Sequence, residues 1–413
     1  MKTNTLFVNG SVSHGPFPQV NGLNGGPKYG NSKIDLRDLF RAIAPPSVRL
    51  HDVSLLSAFD AVDIHSIFPL PHADPDDPAN YRFAKTDAYL QQIRDIDAEI
   101  VFRLGESIEH ASPKHHVHPP ADPARWARVC ANIVRHYNHG WADGHEWGIR
   151  YWEIWNEANI EPCWTGTMED YCELYRHTAL AIKAVDPEIK VGGPALAGTL
   201  DSKAGRLFLA FVREHELPLD FASWHEYGAT PRPVLEAVRS GIAALREFGF
   251  EETETHFNEW NLFAGDFSRA MNEANYYCAF PKCSLSMLGE YTLPGKNYHA
   301  FAAFRRLVEL GERIESSGED ESTGLAICAA ASPSAGTAGI LLANFADAAE
   351  RVRVELQGLP LGERSRIETF LLDETHDLTL ESVQIVDGSL QTLELSLPAP
   401  SVRLIMMGLP QQR

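Results

Sequence analysis

The sequence predicts an α/β fold: a (β/α)₈ TIM barrel with a C-terminal all-β sandwich domain. Between about residues 17 and 311, short β-like runs alternate with amphipathic helical stretches, whereas after about residue 316 period-two runs are separated by Gly, Pro, Asp and Ser. Alternating strands and helices are typical of a parallel sheet, and eight such units close into a barrel. Short, closely spaced strands indicate an antiparallel sandwich. We therefore predict a barrel domain over 1–315 and a sandwich domain over 316–413.

The barrel units follow one another along the chain. The predicted strands lie at 19–22, 48–53, 98–104, 149–156, 189–193, 219–225, 255–261 and 274–279. The predicted helices lie at 36–44, 85–97, 123–138, 169–185, 205–214, 234–248 and 298–310. Only 13 residues, from Leu262 to Ala274, join the last two strands. Since a parallel crossover needs about a dozen residues, any helix there has one or two turns at most.

The C-terminal region reads as six short strands. They are predicted at 325–330, 339–344, 351–356, 367–372, 393–397 and 402–407.

Composition and charge limit the classes of partner. The chain has 413 residues, 44% of them hydrophobic and 22% charged, as in an ordinary globular protein. Its formal charge of -20 disfavours nucleic acid and anionic membranes as partners, because an acidic surface repels phosphate. Carbohydrate, which is mostly neutral, remains compatible with this charge.

The location that the sequence indicates is the cytoplasm. The first ten residues contain no apolar stretch of signal-peptide length, and no later segment approaches the length of a membrane span. The six cysteines are scattered, without paired spacing or a disulfide framework, so reduced thiols are the simplest interpretation.

Two aromatic-rich segments, Tyr151–Asn159 and Glu254–Asn261, carry the strongest functional signal. Each begins as a β-like run and reaches an Asn and a Glu beside a Trp. The two carboxylates, Glu157 and Glu259, are 102 residues apart (259 − 157) and fall at the C-terminal ends of predicted strands, where barrel enzymes hold their active sites. Glycoside hydrolysis needs two such carboxylates, one to protonate the leaving oxygen and one to act at the anomeric carbon. The alternative is two strand ends that happen to carry Glu.

These motifs resemble glycoside hydrolase family 39, which includes β-xylosidases and α-L-iduronidases and belongs to a retaining clan of (β/α)₈ barrels. Residues 152–159 resemble the acid/base region of that family, and residues 256–261 resemble its nucleophile strand. Further similar segments are 48–51, 140–141, 164–166, 221–227, 342–345 and 401–405, so the resemblance spans almost the whole chain. Ala158 stands where the clan commonly has Pro.

The resemblance implies roles for individual residues. It makes Glu157 the general acid/base and Glu259 the nucleophile. Asn156, just before the acid, is positioned to bind the sugar 2-hydroxyl. Arg49 is the best candidate for a cation that keeps Glu259 ionised, with a structural salt bridge as the alternative. Tyr227 could donate a hydrogen bond to Glu259.

Other residues near strand ends are predicted to bind substrate. His51 and His225, like Tyr227, are expected to line the pocket, with packing in the core as the alternative. Glu106 could meet a sugar hydroxyl or be a solvent-facing loop carboxylate. Trp164 belongs to the resembling segment downstream of the acid and joins this set.

A histidine cluster in a Pro-rich loop invites a metal interpretation. Its members are His110, His115, His116 and His118. Their spacing matches no dedicated metal motif, and the mechanism needs neither metal nor cofactor, so we expect a loop that rims the substrate pocket.

The sequence therefore predicts a retaining glycoside hydrolase that acts by double displacement on short oligosaccharides or small glycosides, with β-xylosidase as the first expectation. An arabinosidase, galactosidase or uronidase is the alternative within the family. A non-catalytic glycan-binding barrel is the alternative of another class, and retention of both Glu residues argues against it. The sugar, the linkage, exo or endo action and the oligomeric state do not follow from the sequence.

Overall fold

The computed structural model describes residues 3–27, 35–51, 61–228, 231–262, 294–319, 324–345, 348–387 and 390–408, with the backbone alone at 231, 261 and 262. The chain forms two compact units. One is Gly22–Ser286, and the other combines Met1–Asn21 with Met287–Arg413.

The first unit is built on a parallel sheet of seven strands in sequential order. These are β2 (Leu23–Asn24), β3 (Ser47–Arg49), β4 (Glu99–Leu104), β5 (Tyr151–Ile154), β6 (Lys190–Ala197), β7 (Phe221–Gly228) and β8 (Glu254–Leu262). The Asn24 side-chain amide on β2 donates to the carbonyl of Asn258 on β8 over 2.9 Å, so the two outer strands meet and the sheet is a nearly closed barrel. The predicted eighth strand at 274–279 and the crossover before it lie outside the described residues.

Helices alternate with these strands as the sequence predicts. They are α1 (Arg37–Ile43), α2 (Ile64–Ile67), α3 (Ala84–Arg94), α4 (Pro123–His139), α5 (Met168–Val185), α6 (Lys203–Glu214) and α7 (Pro231–Glu247), with a 3₁₀ turn at Pro78–Asn80. Local sequence explains their ends. Asp122 caps α4 just before Pro123, and Gly140 ends that helix with a φ of 67°. Thr167 and Asp170 form a reciprocal capping box at the start of α5.

The second unit is a nine-stranded, mostly antiparallel sheet in the order β14-β13-β16-β11-β10-β9-β1-β12-β15. Its strands are β1 (Thr3–Pro16), β9 (Glu312–Ser317), β10 (Leu325–Ser332), β11 (Thr337–Asn344), β12 (Glu350–Gln357), β13 (Arg364–Leu372), β14 (Thr379–Asp387), β15 (Thr392–Leu397) and β16 (Ser401–Gly408). A 3₁₀ turn at Pro333–Ala335 separates β10 from β11, and helix α8 (Lys296–Val308) also belongs to this unit.

Alternating residues cover the two faces of this second sheet. Ala329 and Ala331 face one apolar cluster together with Leu6, whereas Ala330 faces another that includes Leu307 of α8. This period-two pattern is what a sheet with both faces covered requires. The fold class, a TIM barrel with a β-sandwich, is therefore confirmed.

The boundaries of the units differ from the sequence division at 315/316. Strand β1 pairs in parallel with β12 and antiparallel with β9, so the first residues join the C-terminal sheet. Helix α8, which the alternating pattern assigned to the barrel, packs in the second unit beside Ala330 and Leu404.

Candidate active site

The predicted catalytic residues meet at the C-terminal ends of the barrel strands. Arg49 is the last residue of β3, His225 and Tyr227 lie near the end of β7, and Glu259 lies on β8. Glu157 follows β5 by three residues. One oxygen of each of Glu157 and Glu259 and one ring nitrogen of His225 lie within 4.8 Å of one another. The structure therefore brings both carboxylates to one side-chain cluster.

The backbone that carries Glu157 has an unusual conformation. Trp155 and Glu157 have positive φ values of 67° and 47°. Such left-handed conformations are costly for residues with side chains and persist only where the surroundings hold them. Here the Glu157 amide donates to the carbonyl of Ala195 over 2.8 Å, and the Trp155 indole nitrogen donates to the carbonyl of Cys163 over 2.9 Å. These bonds fix where the Glu157 carboxyl points.

Glu259 is surrounded by hydrogen-bond donors. Its side chain is buried, with Arg49 Nη1 at 2.7 Å from Oε1 and the Tyr227 hydroxyl at 2.5 Å from Oε2. A cation and a hydroxyl donor both favour the charged form of a carboxyl group. The surroundings therefore stabilise Glu259 as a carboxylate. The expected contacts of Arg49 and Tyr227 with Glu259 are both present.

Arg49 also forms hydrogen bonds with Glu153 and Asn156. Its Nε donates to Glu153 over 2.5 Å, and its Nη2 donates to the Asn156 side-chain oxygen over 2.7 Å. Burial alone would lower the pKa of Arg49, but Glu153 and Glu259 beside it raise that pKa above its usual value. The guanidinium stays charged and positions three side chains at once.

Glu153 is a functional neighbour that the sequence reasoning missed. It is fully buried on β5, where it accepts from Arg49 and, over 2.7 Å, from the Asn258 amide. Burial would raise the pKa of Glu153, but Arg49, Ser223 and Asn258 hold it below its usual range. A charged residue inside an apolar strand run is the signal that could have identified it, because a buried carboxylate needs a partner.

Asn258 links Glu153 to the histidine beside Glu157. Because its amide nitrogen donates to Glu153, its oxygen faces His225 Nε2 at 3.1 Å and must accept from it. His225 Nδ1 lies 2.8 Å from Glu157 Oε1. In a neutral His225 the proton is then on Nε2, and Nδ1 can only accept, which requires a protonated Glu157. The hydrogen-bond chain thus supports a proton on Glu157 while Glu259 is ionised.

Asn156 is buried between Arg49 and a cysteine. Its side-chain oxygen accepts from Arg49, which leaves its amide nitrogen as the group that can donate to a ligand. That nitrogen lies 3.8 Å from Cys163 Sγ, and Cys163 Sγ lies 3.6 Å from Glu157 Oε2. Cys163 was not predicted, and a lone cysteine seven residues after Asn156 gives no specific signal.

His51 and Trp164 occupy different environments. His51 is buried, with Nε2 at 3.9 Å from Glu259 Oε1, so it borders the cluster. Trp164 is buried against Trp155, with ring centroids 4.8 Å apart, and its indole nitrogen donates to the Thr167 carbonyl over 2.9 Å. The indole nitrogen of Trp164 is thus used within the protein, and the ring packs against Trp155. In this conformation the nitrogen is not directed at a substrate, whereas the sequence predicts substrate binding for this residue.

Glu106 lies one strand away from the Glu157 segment. Its oxygens accept from the His65 backbone amide over 3.1 Å and contact His65 Nδ1 over 2.5 Å. Burial raises the pKa of Glu106 to about 7, although His65 and Arg103 oppose the shift. Glu106 is therefore a buried group in contact with His65, and the solvent-facing alternative does not describe it.

The histidine loop is organised by a carboxylate. The Glu109 side chain accepts from the backbone amides of His115 and His116, and His116 stacks on His65 with ring centroids 3.7 Å apart. His118 contacts Thr165 through Nδ1 over 2.7 Å. No side-chain group with metal-ligand spacing among the described residues includes a member of this loop.

None of the helices that the structure describes combines the length and the apolar character needed to cross a lipid bilayer.

Comparison with known proteins finds a family match over part of the chain. The model of the glycosyl hydrolases family 39 matches residues 48–248, which include Glu157 but end before Glu259. A β-xylosidase from Caldicellulosiruptor saccharolyticus is 32% identical over 163 residues, which cover 36% of this chain and 32% of that protein. The chain thus matches about a third of the length of its curated relatives.

Solved structures match over almost the whole chain. A glucosidase from Croceicoccus marinus superposes with a TM-score of 0.80 at 24% identity and covers 100% of both chains. A monomeric β-xylosidase from Caulobacter crescentus superposes with a TM-score of 0.72 at 16% identity, covering 98% of this chain and 99% of that one. At these identities the likeness concerns the fold. The family match itself covers residues 48–248, so glycosyl hydrolases family 39 is the family that this part of the chain resembles, and the solved structures add the likeness in fold.

Proposed function

We propose that this protein is a retaining glycoside hydrolase in which Glu259 is the nucleophile and Glu157 the general acid/base. The observation that carries the proposal is the pair of unlike carboxyl groups. They have oxygens within 4.8 Å of each other, Glu259 between Arg49 and Tyr227 and Glu157 against His225. Carboxyl groups of retaining enzymes lie about 5–5.5 Å apart, whereas inverting enzymes leave about 6.5–9.5 Å for a water molecule.

The reaction proceeds in two balanced steps. In the first, a Glu259 oxygen forms a bond to the anomeric carbon as the bond to the leaving oxygen breaks, and Glu157 transfers its proton to that oxygen. In the second, Glu157 takes a proton from water, the water oxygen bonds to the anomeric carbon, and the ester to Glu259 breaks. Neither step uses a metal or an organic cofactor.

The surroundings of each carboxyl group support its role. The hydrogen-bond chain from Glu153 through Asn258 to His225 favours the protonated Glu157 that the first step needs. Arg49 and Tyr227 stabilise the ionised Glu259, which must remain a leaving group in the second step.

The substrate we propose is a short oligosaccharide or small glycoside, with a β-D-xyloside first because the relatives at 32% and 31% identity are named β-xylosidases. Arabinosides, galactosides, uronides and glucosides form the remaining test panel, the last because a structurally similar protein is a glucosidase. Aryl glycosides of each sugar, assayed with the purified full-length chain, identify the preferred glycone.

The decisive measurement is the stereochemistry of the product. With the preferred aryl glycoside, we expect proton NMR to show first the product anomer with the configuration of the substrate. An inverted first product would contradict the retaining assignment. If no glycoside is turned over although the folded chain binds sugar, the protein is a glycan-binding barrel and the proposal fails.

Azide rescue separates the two carboxyl groups. In Glu157→Ala the glycosyl ester still forms from substrates with good leaving groups, so azide should restore turnover and give a glycosyl azide of retained configuration. In Glu259→Ala azide replaces the nucleophile, so the glycosyl azide should be inverted. The reverse pair of outcomes would show that the two roles are exchanged.

A further inference from the structure

A second cluster of potential ligands lies outside the barrel sheet, where α3, α4 and the turn after α4 meet. It consists of Asp87 on α3, His136 near the end of α4 and His145 in the following segment. His136 Nε2 lies 3.2 Å and His145 Nε2 lies 3.6 Å from the same oxygen, Asp87 Oδ1. All three atoms are within 4.8 Å of one another.

The hydrogen bonds of His136 leave a conflict at this point. Its Nδ1 lies 2.9 Å from the carbonyl oxygen of Trp141, which can only accept, so Nδ1 carries a proton. In a neutral ring, Nε2 then presents a lone pair to the Asp87 carboxylate, which is also an acceptor. Turning the ring over does not help, because both ring nitrogens face an acceptor oxygen. Either a second proton on the ring or a metal cation between Nε2 and the carboxylate removes the conflict, and a metal cation at this position would also lie next to His145 Nε2.

His145 faces the same position. Among the hydrogen bonds of the described residues, its buried Nε2 has no partner, and its nearest charged neighbour is Asp87 at 3.6 Å. The ring is held by stacking on Trp147, with centroids 3.9 Å apart, as the His136 ring is held on Phe83 at 3.5 Å. The turn is fixed as well, since the His145 amide donates to the His136 carbonyl over 2.6 Å.

We propose that Asp87, His136 and His145 bind a divalent transition-metal ion, with Zn²⁺ as the best match. Bonds of about 2.0–2.1 Å in a tetrahedral site separate ligand atoms by roughly 3.3 Å, which the spacings of 3.2 and 3.6 Å approach. Two imidazoles and a carboxylate suit zinc, and water would supply the fourth ligand. The His136 Nδ1–H donation to a backbone carbonyl is the usual outer contact of a metal-bound histidine.

The ion would join three segments that precede β5. Its effect is stabilisation of the α3–α4 layer, independent of the proposed glycosidase chemistry. A ligand that binds only the folded state raises the unfolding temperature with its concentration.

The test is metal titration of the full-length chain after treatment with a chelator. ZnCl₂ is titrated by calorimetry and CoCl₂ by visible absorption, which reports a tetrahedral site. We expect one ion per chain and a rise in the unfolding temperature for the wild type. His145→Ala should weaken binding at least about tenfold, the lower range for loss of a metal-site contact. His139→Ala, which removes a half-exposed imidazole from the end of the same helix, should bind as the wild type does.

Three results would overturn the proposal. They are a wild-type chain that binds neither ion, a His145→Ala variant that binds one ion with unchanged affinity, and equal weakening by His139→Ala. The wild-type titration decides even if His145→Ala does not fold.

Discussion

Asn156 is the residue whose role depends most on a single hydrogen bond. Its oxygen is occupied by Arg49, so its amide nitrogen is the group available to the sugar 2-hydroxyl. If that contact forms mainly in the transition state, Asn156→Ala should lower kcat roughly 10²–10³-fold, as loss of a transition-state donor does, with little change in KM. Steady-state kinetics on the preferred aryl glycoside measure both constants.

A 2-deoxy substrate provides the control for Asn156. The wild-type enzyme should lose transition-state stabilisation on this substrate, whereas Asn156→Ala should hardly distinguish it from the parent sugar. If the variant discriminates as strongly as the wild type, another side chain binds the 2-hydroxyl, and His225 is the next to test.

Glu106 should make the stability of the protein depend on pH. Its pKa in the folded protein, about 7, lies above the ordinary value of 4.5, so the folded state binds the proton more tightly. Stability from this group is therefore present at low pH and is lost as pH rises through about 7. As the pH rises from 4.5 to about 7, the free energy of unfolding of Glu106→Gln should increase relative to that of the wild type by up to about 3 kcal/mol. Urea unfolding at several pH values measures this difference.

Glu109 serves as the control because its shift is opposite in sign. Burial would raise the pKa of Glu109, but the amides of His115 and His116 lower it below the ordinary value. Stability from this carboxylate is present above the ordinary value and is lost as pH falls. Glu109→Gln should therefore show no gain on the wild type between pH 4.5 and about 7. The interpretation of Glu106 is wrong if the free energies of unfolding of both variants, relative to the wild type, depend on pH in the same way.

The residues of the site were predictable to different depths. Glu157, Glu259 and their neighbours Arg49 and Tyr227 follow from strand ends and motif resemblance, and the structure brings them together. Glu153 could have been found, since it lies within the same motif on a buried strand. The ring nitrogen of His225 that carries the proton could not have been predicted. It depends on the orientation of the Asn258 side-chain amide between Glu153 and His225, which local sequence does not determine.

At the level of elements, helices were predictable and strand irregularities were not. The predicted helix at 123–138 appears as Pro123–His139, because its cap residue, Pro and final Gly are local signals. On β8, strict alternation would put Asn258 and Glu259 on opposite faces. The pairing with β7 shifts register instead, from Trp224↔Phe257 to His225↔Glu259, so both residues reach the cluster. A bulge of this kind depends on the neighbouring strand.

The capping box of α5 gives a prediction for one element. The Thr167 hydroxyl accepts from the Asp170 amide, and the Asp170 carboxylate accepts from the Thr167 amide over 2.8 Å. Thr167→Ala should lower the free energy of unfolding by about 1 kcal/mol, because the first turn loses an acceptor. Thr167→Ser keeps the hydroxyl and should stay close to the wild type. Equal urea midpoints for the two variants would rule out a stabilising cap.

At the scale of the whole molecule, the sequence identifies the barrel and the sandwich, but it does not show that the first residues of the chain belong to the sandwich. A period-two pattern indicates a strand but not the sheet to which the strand belongs. The first residues contact a strand almost 350 residues later, where the Asn4 side-chain amide donates to the Glu350 side chain over 3.1 Å. Contacts at such separations leave no local pattern. The division expected at residue 315 therefore reflects where the texture changes, whereas the unit in the structure begins with β1.

Strand β1 should accordingly be essential to the stability of the C-terminal sheet. Leu6 is fully buried in the apolar cluster that also contains Ala329 and Ala331, whereas its neighbour Phe7 is 47% exposed on the other face of the sheet. Leu6→Ala should lower the free energy of unfolding by about 2–5 kcal/mol, since it leaves a cavity in a packed core. Phe7→Ala, a larger truncation one residue away, should change it by no more than about 0.5 kcal/mol. Chemical denaturation of the full chain, followed by circular dichroism, measures both. If Leu6→Ala is as mild as Phe7→Ala, the first strand is an accessory edge and not part of the core. If both are severe, the chain segment itself matters and the burial of Leu6 is not the cause.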